Sequence, residues 1–459
     1  MLGPRKLDET HFGFRTFAAI HLFVAAAILG GSFWTGVQWF ALGDFEWREA
    51  MTVHAVLIPA WMLLALASLE QLGPAGGVKW NSLVGWTSVV SSLLAGAGAL
   101  TIRTEGISAG SVIQGLGMAL ADLAGIAVLA TLVLPVSRES RRGCYGLALW
   151  TLIASLAAVS AATPLGHLAA GVKALGNQFF VFHTHASMMG LEPKKVLEGY
   201  VGSHGHQIVA AFLAAAFVLP LVRKRITRPG LDWAQTCGLS LVLLATVAQV
   251  AVYQASAWLG WEPPTLFVRG LSGVPLDDIV LALLGGGFLL LIPALTAPAG
   301  GAGNGRTGSR PAYGAFVPLL MAFAIAIVGL GLYIEFHEEF FGHGEETGAP
   351  GRLKDLAYIR SHLLFGCMII PLLLGSLSHV PLSLGKTMRL AIHAIGGAAV
   401  LSGSAGVFWW TFALEPFLMK LAMCFAALSA VVLAIVLALD GLRAPGQLDS
   451  QGEPKAAGT

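Results

Sequence analysis

The chain has 459 residues, of which 56% are hydrophobic and 11% charged, with a formal net charge of +2 and a mean hydropathy of +0.75. A soluble domain carries about a quarter charged residues, so the composition excludes that class and points to a polytopic membrane protein. There is no nucleotide-cradling glycine loop, no Ser-His-Asp constellation and no basic surface of the kind a nucleic-acid binder needs.

Spanning a bilayer as a helix takes about 20 mostly apolar residues. About twelve such runs occur, at 14–31, 50–69, 82–101, 112–134, 146–165, 201–222, 236–254, 277–296, 313–333, 357–377, 390–411 and 416–440. The expected fold is all-α. It is a single membrane domain over 1–445, with a polar, disordered cytoplasmic tail at 446–459. The segment Met1 to Arg15 lacks a cleavage site of small residues and reads as a short tail, not a secretory signal. Seventeen of the 27 Lys and Arg residues fall in alternate connections. The positive-inside rule then puts both termini in the cytoplasm. Sixteen of the 25 acids fall on the opposite face, a rim whose field suits a basic soluble electron carrier.

In chain order, the first run carries His21, a lone helix-face histidine expected to pack or hydrogen-bond. An aromatic connection, SFWTGVQWFALGDFEW, then leads into the second run, REAMTVHAVLIPAWMLLALASLE, where His54 sits about one turn inside. The fourth run holds Asp122 at mid-bilayer. An acid at that depth is costly and is either paired or a proton carrier. The fifth run is expected to end near Leu165. The connection to Glu198 contains His167, His183 and His185 and is too long for a simple loop. It reads as an interfacial or re-entrant segment over the bundle. At about 100° per residue, a His-x-His on a helix points its rings apart. Hence His183 and His185 share a metal only in an irregular segment.

The sixth run, EGYVGSHGHQIVAAFLAAAFVLPLVRKR, carries His204 and His206 where it enters the membrane and a basic cluster where it leaves. If the helix has begun by Ser203, only one of the two faces the bundle centre, and the repeat interval favours His206. The seventh run has no histidine but carries Gln249, Tyr253 and Gln254. The eighth follows Asp277 and Asp278 and contains Gly285–Gly287, expected to allow close packing or a bend. After a glycine-rich linker and the ninth run comes YIEFHEEFFGHGEETGAPGRLKD, whose His337, His343 and glutamates read as a solvated acidic loop. The tenth run, DLAYIRSHLLFGCMIIPLLLGSLSH, carries His362. The eleventh ends at Trp409–Trp410. Four cysteines, in no CxxC or CxxCH, read as core residues.

His54, His206 and His362 are separated by 152 and 156 residues, each near the same end of its helix. That implies three pseudo-repeated four-helix units, about 1–143, 144–300 and 301–445. Neutral imidazole a turn inside a membrane helix meets the needs of haem iron: an axial nitrogen, an apolar slot and a polar rim for the propionates.

Twelve spans in three units, with histidines on the second, sixth and tenth, resemble subunit I of the haem–copper oxidase superfamily, which includes the nitric oxide reductases. FEWREAMTVHAVLIPAW resembles that family's second helix, and SHLLFGCMII the tenth helix of its reductase branch. The resemblance implies that His54 and His362 are axial ligands of a low-spin haem b. It places His204 or His206 where the sixth helix supplies a ligand of a second metal or haem. It also implies electron transfer near the outer face from a soluble cytochrome or cupredoxin, with reduction of NO or O2. The sequence departs from the family at the seventh run, which lacks the histidine pair, and at Arg360, where the tenth helix should carry the first of two histidines. Trp409 and Trp410 stand where an arginine pair should be. A second site would have to be rebuilt from His183, His185, His204 and His206, with Arg48 or Arg360 on a propionate. Two rival expectations are a secondary transporter or metal-ion permease, and a non-catalytic membrane subunit of a redox complex.

Overall fold

The computed structural model describes residues 14–34, 56, 60, 62–64, 77–105, 107–139, 144–175, 180–224, 232–260, 265–266, 274–296, 361, 365, 384–415 and 417–442. Helices dominate: α1 (Phe14–Trp34), α2 (Gly77–Glu105), α3 (Ile107–Glu139), α4 (Cys144–Leu175), α5 (Phe180–Met189), α6 (Pro193–Lys224), α7 (Asp232–Trp258), α8 (Leu276–Thr296), α9 (Lys386–Ala413) and α10 (Phe417–Leu442). One short antiparallel pairing, Thr265–Leu266 with Val274–Pro275, bridges the connection between α7 and α8. The apolar runs at 14–31, 82–101, 112–134, 146–165, 201–222, 236–254, 277–296 and 390–411 each fall inside one described helix, and α10 takes up the last. Those at 313–333 and most of 50–69 and 357–377 lie outside the described residues.

Among the described residues, five helices are long and apolar enough to cross a bilayer, over Cys144–Ala169, Pro193–Val222, Trp233–Trp258, Thr387–Ala413 and Phe417–Leu439. The chain is therefore an integral membrane protein. The five are not equivalent. α6 has 89% of its apolar window buried inside protein, against 44–61% for the other four. The unbroken run from Ile208 to Leu219 explains this, since every position in it is buried. A helix apolar all round is either lipid-facing or central; α6 is central, packed by α4, α7 and α8.

Small residues let backbones close up, because lipid offers no hydrophobic drive between helices. At the α7–α8 joint, a Cβ on Gly287 would stand 2.6 Å from Val242 Cγ2 and 2.9 Å from the Gly238 carbonyl oxygen. Of the Gly285–Gly287 triplet, only Gly287 is pressed in this way; its two companions face open space.

The connection between α4 and α6 differs from expectation. α4 does not end near Leu165 but runs ten residues further, to Leu175, and α5 fills much of what remains. Leu165 and Ala169, one turn apart on α4, join Phe182, Ala186, Val196, Tyr200 and Ala257 in a small separate core. That burial extends α4 and α6 to 32 residues each, about 48 Å at 1.5 Å per residue. Both therefore outreach a hydrocarbon layer of about 30 Å, and α5 packs at the end opposite Lys224.

Candidate functional site

The polar side chains of the bundle gather at that same end, around α6. On its α4 side, His204 Nδ1 donates to the Ala162 carbonyl at 2.8 Å. The ring fits only because residue 166 is glycine: a Cβ there would lie 2.5 Å from His204 Cε1. One residue along α4, His167 Nε2 meets Asp122 Oδ2 of α3 in a short contact. Asp122 and His167 both act electrostatically on His204. Three titratable groups from three helices thus share one junction.

Between α6 and α7, amides tie the helices together. Gln207 Nε2 donates to the Ala158 carbonyl of α4 at 2.7 Å. Gln254 Nε2 is shared between Gln207 Oε1, at 3.2 Å, and the Ala161 carbonyl, at 2.9 Å. A turn further into α7, Gln249 is fully buried, and neither atom of its amide has a partner among the described residues. Asp277, at the start of α8, is buried with Oδ1 in the same condition.

His206 lies on the other side of α6 from His204. Its Nδ1 donates to Gly202 of its own helix at 2.9 Å, and its ring packs on Tyr253 of α7, centroids 5.7 Å apart. Spacing favoured His206 as the centre-facing member of the pair. The two rings take different seams: His206 keeps accessible surface and packs on α7, whereas His204 is tied to α4. The separation of the two follows from a regular helix, where residues i and i+2 point apart.

His183 and His185 separate in the same way on α5, which is helical. His185 is buried with both nitrogens committed, Nδ1 to the Tyr200 hydroxyl at 2.6 Å and Nε2 to the Trp258 carbonyl at 2.9 Å. Since that carbonyl only accepts, Nε2 carries the hydrogen and the Tyr200 hydroxyl donates to Nδ1. His183 is half-buried, and its Nε2 has no hydrogen-bond partner among the described residues. Among the described residues no three His, Cys, Asp or Glu side chains come together as a metal site. A site rebuilt from His183, His185, His204 and His206 would need His185 to give up the Tyr200 bond at Nδ1, its accepting nitrogen.

His54, His362, Arg48 and Arg360 lie outside the described residues, as do His337, His343 and Cys367. Their neighbours do not. Val56 and Phe365 are fully buried and belong to one continuous core, and Ser361 is fully buried too. His21 is also fully buried. Its Nδ1 donates to the Phe17 carbonyl at 2.7 Å, and the Ser88 hydroxyl reaches its Nε2 at 2.7 Å. The expected packing role holds. Cys144, Cys237 and Cys424 form no disulfide; Cys144 instead lies 2.9 Å from the Thr236 hydroxyl.

Neither the pairing of His167 with Asp122 nor the His185–Tyr200–Trp258 node is legible in the sequence. Leu165 and Ala169 at helical spacing signalled that α4 continues. No local pattern names a partner 45 or 73 residues away. Comparison with protein-family models, curated proteins and solved structures gives no match. The fold and site define an integral membrane helix bundle with a polar, histidine-rich end.

Proposed function

We propose that this protein is a b-type haem protein of the membrane with a fold like subunit I of the haem–copper oxidases: twelve helices in three four-helix units. His54 and His362 are the axial ligands of one low-spin haem, which moves electrons near the outer face. The observation that carries this reading is that Val56 and Phe365 belong to the same buried core. Each follows one of the two histidines within three residues in the sequence. The near-equal spacing of His54, His206 and His362 supports it further.

Haem supplies a one-electron couple, and two neutral imidazoles would hold its iron six-coordinate. The protein's part is to supply those imidazoles, an apolar slot and a polar rim. A second metal centre is not part of this reading: among the described residues no three His, Cys, Asp or Glu side chains come together, and the Nδ1 lone pair of His185 is taken by the Tyr200 hydroxyl. The test is a reduced-minus-oxidised spectrum of the detergent-purified protein. Haem b bands are expected, and they should vanish in both His54→Ala and His362→Ala. Bands that are absent from the wild type, or unchanged in both variants, overturn the reading.

A second reading, an ion-coupled transporter, has one observation in its favour. The Asp122–His167 pair joins two membrane helices, and intramembrane ionisable residues commonly line ion pathways. Ligand-dependent thermal stabilisation of haem-free protein would favour it.

A further inference from the structure

We propose that Asp122 and His167 form a proton-binding site inside the helix bundle, one that takes up and passes on a single proton. The site is separate from the proposed haem ligands and does not depend on haem being bound.

The argument starts from cost. A carboxylate in a membrane span is expensive unless paired or protonated, and among the described residues Asp122 bonds His167. A purely structural tie between α3 and α4 needs no titratable groups. Small residues already face each other across α3 and α4 one turn along from Asp122, where a Cβ on Gly125 would lie 3.5 Å from Ser160 Oγ. The inert alternative is also present in this chain. His21 meets a carbonyl and a hydroxyl, neither of which titrates. His167 instead meets a group that itself binds protons, and both side chains keep about a quarter of their surface accessible.

The step balances without an oxidant or reductant. In the unloaded state Nε2–H of neutral His167 donates to the Asp122 carboxylate. A proton arriving at Nδ1 allows the Nε2 proton to cross to Oδ2. The ring is left neutral as the Nδ1–H tautomer, and the carboxyl is left neutral. Loading cancels the pair's one negative charge and replaces a buried ion with an acid that donates back to Nε2. Release reverses the path. The third titratable group acting on the junction is His204 of α6. Its Nδ1 is tied to Ala162 and its ring held by Gly166, so it sets the local field as a fixed neighbour.

The test is pH-difference infrared spectroscopy of the full-length protein in lipid, stepped downward over the range in which the protein stays folded. The wild type should gain one protonated-carboxyl stretch on acidification, and that band should shift in D2O. It should be lost in Asp122→Asn and change its midpoint in His167→Gln. Should Asp122→Asn not assemble, Asp122→Glu serves instead, and its band should appear at a new frequency. Difference spectra that are the same in the wild type and these Asp122 variants overturn the proposal. So does a band whose midpoint is unmoved in His167→Gln, which would leave the pair a helix tie. Neither outcome touches the haem test, which reads visible bands of other residues.

Discussion

His21 and His167 are both histidines on helices of this bundle, and the protein uses them in opposite ways. His21 has no accessible surface and two fixed partners that never change charge. It works as a hydrogen-bonded peg joining α1 and α2. His167 is partly accessible and faces an acid. Buried polar groups must be satisfied wherever they lie. What separates a peg from a site is whether the satisfying partner has a proton of its own to exchange.

This contrast can be broken or sharpened by substitution. The largest effect is expected at the proposed haem ligands: on that reading His54→Ala or His362→Ala should abolish the haem b bands, whereas His21→Asn should leave them intact, read by optical difference spectra. Next, Gly166→Leu drives a side chain into the space of the His204 ring. Overpacking of this kind costs about 1–3 kcal/mol or more and should lower the thermal midpoint in detergent. It should also perturb the carboxyl band, because the neighbouring residue is His167. His21→Ala strips Ser88 of its partner and opens a cavity. It should destabilise by about 1–3 kcal/mol with no change in that band, which is the contrast in its plainest form. Gly287→Ala presses on Val242 and the Gly238 carbonyl and belongs in the same range, about 1–3 kcal/mol, read as lost thermal stability. The smallest effect is expected from Glu198→Gln, which removes the exposed pair with Lys194, 3.5 Å apart. An exposed i,i+4 pair contributes no more than about 0.5 kcal/mol, so the melting curve should hardly move.

Much of the bundle was legible from the sequence, because a membrane helix announces itself by length and apolarity alone. The α6 run is the clearest case: histidines at one end, basic residues at the other and nothing polar between Ile208 and Leu221. Asp122 was legible as costly, and His21 as a packing residue. The partners were not legible. Asp122 and His167 meet across 45 residues, and His185 reaches a carbonyl 73 residues on. Hydropathy is a local average and carries no information about which helices become neighbours. The sides taken by His204 and His206 were not legible for a related reason. Spacing between repeats fixes a level along the helix, whereas the side a ring faces is fixed by packing, here by the gap at Gly166.

The wrapping of α6 also bears on how the bundle assembles. Segments enter the bilayer in the order of synthesis. When α6 is released, α4 is already beside it, but α7 and α8 have yet to emerge. For that interval a surface destined for protein contact is solvated by acyl chains. Its unbroken alanine, leucine, valine and phenylalanine surface tolerates that wait at no electrostatic cost, while Gln207 must hold the Ala158 carbonyl alone until Gln254 arrives.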